Sequence, residues 1–110
     1  MACRLGYHRA MQLFLLGYPL GHSLSPAMHN AALGGVGLSD WRYVARPVQA
    51  DDLGFVLAEL RRADVAGANI TVPHKQAVIP YLDGLTPTAL ALGAVNTIVN
   101  EGGRLLGHNT

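Results

Sequence analysis

Charge is scarce in this sequence, and cysteine scarcer still. Only 14% of its 110 residues are Asp, Glu, Lys or Arg, and eight basic against seven acidic side chains leave a formal net charge of +1. The cations are scattered, with Arg61–Arg62 the one adjacent pair. Without a basic patch or stripe, a nucleic-acid surface or an anionic-membrane surface is not expected. Cys3 stands alone, so no internal disulfide forms; one unpaired thiol suits a reducing compartment, and a cytoplasmic location is expected. No apolar run reaches the ~18 residues that span a bilayer, and Leu13 to Leu16 is too short for the core of a signal peptide.

Several chemistries are missing as well. His22, His29 and His74 have neither zinc-ligand spacing nor acidic companions, so no metal site is expected. Gly35-Val36-Gly37-Leu38-Ser39-Asp40 looks like a dinucleotide fingerprint, but it ends on aspartate and follows a predicted helix instead of a strand. No phosphate-binding loop occurs. The glycines around Ser23 do not form a nucleophile elbow, so this serine is not read as a hydrolase nucleophile.

What is present is a globular pattern. Half of the residues are hydrophobic, enough for one domain with its own core. Residues 1–10 show no periodicity and are expected to be a dispensable tail before a domain spanning 11–110. Gln12 to Leu16 reads as a buried strand stopped by Gly17-Tyr18-Pro19. Ser25-Pro26 opens a helix that ends at Gly34-Gly35. Trp41 to Ala45 is a second strand. Asp51 and Asp52 mark a helix start, and Leu53, Val56, Leu57 and Leu60 recur at i, i+3, i+4 and i+7 as one apolar face. Ala66 to Val72 is a third strand, stopped by Pro73, and a short helix turning Val78, Ile79 and Leu82 inward follows. Thr86-Pro87 starts a helix that Gly93 ends. Ala94 to Val99 is a strand, and Asn100-Glu101-Gly102-Gly103 turns into an antiparallel return over Arg104 to Gly107. Strands alternating with helices predict an α/β fold: an open, mostly parallel twisted sheet flanked by helices, with an antiparallel hairpin at the C-terminal end.

In such a sheet, ligands bind beyond the C-terminal ends of the strands. Asn69 and Thr71 sit two apart at such an end and share a face, and Lys75 follows. An amide, a hydroxyl and an ammonium together suit a small, hydroxyl-rich molecule; a solvated strand end with a surface lysine is the plain alternative. Ser23 and Ser25 flank a helix N-terminus, whose free N–H groups attract anions. Capping alone explains Ser25, but Ser23 has no such role, so a substrate carboxylate is the expected guest. Asn96 lies in an otherwise apolar stretch and needs partners, and Asn109 raises the same question more weakly.

Four stretches, taken together and in this order, resemble the motifs of the shikimate dehydrogenase family. They are Gly17-Tyr18-Pro19-Leu20-Gly21-His22-Ser23-Leu24-Ser25-Pro26 with Met28-His29-Asn30, Gly67 through Lys75, Gly93-Ala94-Val95-Asn96-Thr97, and Gly107-His108-Asn109-Thr110. The resemblance covers residues 11–110 and implies the family's substrate-binding domain. It implies NADP-dependent reduction of 3-dehydroshikimate to shikimate, in the biosynthesis of chorismate and the aromatic amino acids. Ser23 and Ser25 would hold the substrate carboxylate, Asn69, Thr71 and Asn96 the ring hydroxyls, and Lys75 would be the catalytic lysine and a substrate contact. In the family an aspartate follows the Gly-x-Asn-Thr motif, whereas this chain stops at Thr110. No glycine-rich cofactor turn is present, so NADP is expected on a domain absent from this chain, and hydride transfer is not expected from the chain alone. Self-association of such a fragment is expected. The alternatives are a quinate/shikimate dehydrogenase of the same family and a stand-alone, non-catalytic sugar-acid-binding domain.

Overall fold

The computed structural model of the chain describes residues 10–20, Asn30 and residues 41–110. The expected tail apart from Ala10, the helix opened by Ser25-Pro26 apart from Asn30, which is helical, and the Ser23–Ser25 pair lie outside the described residues. The elements, in chain order, are β1 (Gln12–Gly17), β2 (Arg42–Pro47), α1 (Leu53–Glu59), β3 (Val65–Ile70), β4 (Gly84–Leu85), α2 (Pro87–Leu92), β5 (Thr97–Glu101) and β6 (Arg104–His108). They build one six-stranded mixed sheet in the order β2-β1-β3-β5-β6-β4. β1 runs parallel to β2 and β3, and β4 runs parallel to β6, while β5 is antiparallel to both β3 and β6.

The apolar face of α1 forms as its spacing dictates. Leu53, Val56 and Leu57, with Leu60 just past the helix, are all buried and pack onto Phe14, Leu16, Ala68, Ile70 and Ile98. Each fully buried leucine contributes about 1.5–3 kcal/mol of apolar transfer free energy, so this seam is a main support of the sheet. α2 begins where Thr86 accepts a hydrogen bond from the Ala89 N–H (3.3 Å). It ends at Gly93, whose φ of 64° is the left-handed turn that glycine takes without strain. The β5–β6 hairpin turns through Gly102 and Gly103, while Asn100 and Glu101, expected in the turn, pair with Leu105 and Arg104 as the end of β5; Asn100 Oδ1 accepts from the Gly103 N–H (2.9 Å).

Several boundaries differ from the sequence reading, most of them because pairing across the sheet overrides local propensity. β2 starts and ends later than Trp41 and Ala45, since the whole Arg42–Pro47 segment pairs in register with Gln12–Gly17. β3 runs from Val65 to Ile70, leaving Thr71 just beyond it. Ala94 to Asn96 are not strand: the Val95 N–H is donated to the Lys75 carbonyl (2.8 Å) and the Asn96 N–H to the His108 carbonyl (3.0 Å), so the β3–β5 ladder begins at Thr97. The segment after Lys75 makes turns and one 3-10 turn, Ile79–Tyr81, in place of a helix, with Pro80 inside it. Its inward residues are as expected, Val78 buried and Ile79 and Leu82 against the core. The two-residue β4 has no local signature and exists only through its pairing with β6.

Past the end of α1, Arg61 ties three segments together. Its guanidinium donates to Asp83 Oδ2 (2.6 Å), the Gly103 carbonyl (2.8 Å) and the Tyr81 carbonyl (3.1 Å). The Leu105 backbone N–H, donated to Asp83 Oδ2 (2.8 Å), and then the Arg61 guanidinium hold the Asp83 carboxyl below its ordinary value of 3.8. A carboxyl depressed on folding stabilises the folded state above its unfolded pKa, and that contribution is lost as pH falls through the folded one. Asp83→Asn is therefore expected to melt below wild type at pH 7, with the gap closing as pH drops below 3.8. Thermal melts of both proteins at pH 7 and about pH 3 check this; a gap that stays constant with pH would contradict it.

Candidate functional site

Strand direction decides which residues can meet. β1 and β3 run the same way, β5 opposes β3, and β6 opposes β5. The C-terminal ends of β1, β3 and β6 therefore share one edge of the sheet with the start of β5. Asn69 and Thr71, then Lys75, leave β3 at this edge, Asn96 and Thr97 enter β5 there, and His108 to Thr110 leave β6 there. The pairing continues beyond the strands. The Thr71 N–H is donated to the Leu16 carbonyl (2.9 Å), the Tyr18 N–H to the Val72 carbonyl (3.1 Å), and the Ile70 N–H to the Asn96 carbonyl (2.8 Å).

A line of side-chain hydrogen bonds crosses the edge. Tyr43 Oη donates to Asn69 Oδ1 (2.8 Å), Asn69 Nδ2 to Thr97 Oγ1 (3.2 Å), and Thr97 Oγ1 to Asn96 Oδ1 (3.0 Å). Asn96 is gripped again by Thr110, whose backbone N–H donates to Oδ1 (3.1 Å) and whose carbonyl accepts from Nδ2 (3.1 Å). Each amide thus has its oxygen occupied and, among the described residues, one of its two N–H groups committed. What each can still offer a ligand is an N–H, which suits a hydroxyl oxygen. Burial pushes the Tyr43 hydroxyl above its ordinary value, so it stays protonated and able to donate. Asn109, read more weakly from sequence, donates to the Ala94 carbonyl (3.1 Å) and braces the segment leading to Asn96.

Lys75 is exposed, and among the described residues its ammonium has no ion-pair partner. A polarised or charged oxygen of a ligand is the natural complement for a free ammonium at this edge. On the sheet face that carries Asn69 and Thr97, a hollow of about 240 Å³ is lined by Leu13, Tyr43, Gly67, Asn69, Thr97 and Val99, and Lys75 is not among its lining residues. A larger hollow of about 450 Å³ lies at the opposite end of the strands, where Arg61 and Asn100 are already engaged in holding turns together. Among the described residues no group of three His, Cys, Asp or Glu side chains could hold a metal ion, and no helix is long and apolar enough to cross a membrane.

Of the residues singled out from sequence, Asn69, Thr71, Lys75 and Asn96 come to this one edge, and Ser23 and Ser25 lie outside the described residues. Tyr43 and Thr97 were missed: a tyrosine and a threonine in apolar strands read as core and sheet formers. Asn30 was noticed only as part of a motif. Its side chain donates to the Tyr43 carbonyl (3.0 Å) and accepts from the Tyr43 N–H (2.8 Å), fixing the strand position from which the Tyr43 hydroxyl reaches Asn69.

Comparison with known proteins agrees with this architecture. Residues 15–98 match the family described as the shikimate dehydrogenase substrate binding domain. A relative from Geobacter metallireducens named shikimate dehydrogenase (NADP(+)) is 52% identical over 98 residues, 89% of this chain and 34% of the relative. The crystal structure of shikimate 5-dehydrogenase from Thermus thermophilus in complex with shikimate superposes with a TM-score of 0.84 at 43% identity, over 90% of this chain and 38% of that one. The ligand-free 5-ketofructose reductase of Gluconobacter sp. strain CHM43 superposes with a TM-score of 0.87 at 32% identity, over 93% and 36%. The chain thus spans about a third of the length of the curated relatives it matches.

Proposed function

The chain belongs to the shikimate dehydrogenase substrate-binding domain family, and on that premise we propose that it holds shikimate or 3-dehydroshikimate at the edge where Asn69, Thr71, Lys75 and Asn96 converge. The observation that carries the reading is the pair of amides, Asn69 and Asn96, each turned by a neighbour so that an N–H remains for a ring hydroxyl. Ser23 and Ser25 take the substrate carboxylate, as their place beside an expected helix start suggests. Residues 11–110 act as the substrate-binding domain, with 1–10 a tail.

The whole enzyme, in this reading, reduces 3-dehydroshikimate to shikimate with NADP, as the relatives' name implies. The residues of this chain do not fit the dinucleotide: among those described, no strand leads through a glycine-rich turn into a helix. NADP belongs to the length of the relatives that this chain does not match. What the chain supplies is Lys75. Reduction of a ring ketone leaves negative charge on its oxygen, and an adjacent ammonium stabilises that charge or delivers the proton. The lone Cys3 supports a cytoplasmic setting, and the exposed Phe55, Leu90 and Leu92 support association of this chain with a copy of itself.

A shikimate titration of this chain, followed by amide NMR, tests the site. Shifts are expected to cluster at Ser23, Asn69 to Lys75 and Asn96, with a dissociation constant of about 1 mM or below, a binding free energy of roughly 4 kcal/mol. Quinate and 5-ketofructose serve as comparators: tighter quinate binding selects the quinate/shikimate branch, and 5-ketofructose, which has no carboxylate for Ser23 and Ser25, is expected to bind more weakly. A folded sample with no shifts at these residues contradicts the reading.

A further inference from the structure

The segment that carries Lys75 is held by the residue before it. His74, 1% exposed, is a histidine buried in the core. Its ring Nε2 is hydrogen-bonded to the Val48 carbonyl. A carbonyl oxygen only accepts, so Nε2 carries the proton and donates it. Val48 is a firm anchor: it is buried, and its own N–H is donated to the Gly17 carbonyl (2.8 Å) at the end of β1. The backbone of His74 is fixed as well, its N–H donated to the Thr71 carbonyl (3.1 Å) and its carbonyl accepting from the Val78 N–H (3.1 Å). One residue on, the Lys75 carbonyl accepts from the Val95 N–H (2.8 Å).

Lys75 therefore sits between two ties. One runs through the His74 ring to the β2–α1 link, 26 residues away in sequence. The other runs through Val95 to the segment that carries Asn96. The lysine side chain is a flexible four-carbon stem, exposed and without an ion pair among the described residues, so what the fold fixes is the backbone point from which its ammonium reaches. An apolar residue could fill the same core space; what histidine adds is one directed bond. We propose that His74 is a positioning residue for Lys75, its Nε2–H bond to the Val48 carbonyl holding the segment that aims the ammonium at the substrate. The proposal rests on the substrate site described above.

Glutamine at this position is more flexible than the ring, but it carries an N–H donor at about the reach of the histidine Nε2. His74→Gln should therefore bind shikimate within about 3-fold of wild type, whereas His74→Leu, which keeps bulk and loses the donor, should bind about 10-fold more weakly. If His74 acts through Lys75, the double variant His74→Leu/Lys75→Ala binds no more weakly than Lys75→Ala alone, because coupled residues are non-additive. A residue that only supports the fold gives additive losses. A readout without ligand runs in parallel: hydrogen exchange of the Val95 amide should speed up at least about 10-fold in His74→Leu while the Ile70 amide stays protected. Should His74→Leu not fold, His74→Asn, whose amide is too short to reach Val48, takes its place with the same expectations. Wild-type affinity in the folded variant, additive losses, or unchanged Val95 exchange each overturn the proposal. If wild-type chain itself binds no shikimate, the substrate reading fails, and the aiming of Lys75 at that substrate fails with it, whatever Val95 exchange shows about the segment.

Discussion

In an enzyme that carries this domain, Lys75→Ala is expected to lower turnover by about 10²- to 10⁴-fold, the usual worth of a positioned acid–base group, while changing stability by no more than about 0.5 kcal/mol. The two halves of this expectation have separate grounds. The side chain is exposed and unpaired among the described residues, so the core loses nothing on truncation, and the Lys75 carbonyl still receives the Val95 N–H. The chemistry loses the cation that Lys75 brings to the edge. An ammonium that meets charge developing on the ketone oxygen acts in the transition state more than in the ground state, so kcat should fall more than KM rises. Lys75→Arg is a sharper probe. It keeps the charge but not a titratable group, since guanidinium does not release its proton in proteins; partial recovery by arginine points to charge stabilisation, and none points to proton delivery. Steady-state kinetics and a melting curve on each variant suffice. Near-normal turnover in Lys75→Ala removes the lysine from the catalytic role.

How much of this was legible beforehand depends on whether a feature is local. The α1 face could be read because Leu53, Val56, Leu57 and Leu60 announce it at helical spacing, and all four are buried. The cap at Thr86, the stop at Gly93 and the turn at Gly102-Gly103 could be read for the same reason, being properties of adjacent residues, though Asn100 and Glu101, read into that turn, belong to β5. The bend at Ala94 to Asn96 could not. Its backbone groups go to Lys75 and His108, one about twenty residues back and the other about twelve ahead, and no local pattern marks such partners.

The same division runs through the site. Asn69, Thr71 and Lys75 stood out because polar groups at the end of an apolar strand are unusual, and Asn96 because a lone amide in an apolar stretch needs partners. The Tyr43 hydroxyl and the His74 ring did not stand out, since tyrosine in a strand and a single histidine are ordinary core residues. Their roles come from what the sheet places opposite them, Asn69 and Val48 respectively.

Gly67→Ala is the change expected to damage the fold most for the fewest atoms added, with a cost of about 3 kcal/mol. Gly67 lies buried in β3, between β1 and β5, opposite Leu13 on one side and Val99 on the other. A Cβ at this position would overlap the Ile98 carbonyl oxygen, which is backbone and cannot swing aside as a side-chain tip can. Opposing this is the gain from replacing glycine inside a strand, about 0.5–1 kcal/mol, so the clash wins. Relief requires β5 to move away from β3, and that movement stretches the bonds from Asn69 Nδ2 to Thr97 and from the Ile70 N–H to Asn96. Damage to stability and to the site should therefore come together: a melting temperature lower by roughly 10–20 °C for a domain of this size, and weaker shikimate binding even at temperatures where the variant remains folded. Thermal melts and the shikimate titration on the same sample separate the possibilities. A variant that melts near wild type means β3 and β5 have room the structure does not show; one that melts low yet binds with wild-type affinity means the two amides do not depend on the spacing of those strands.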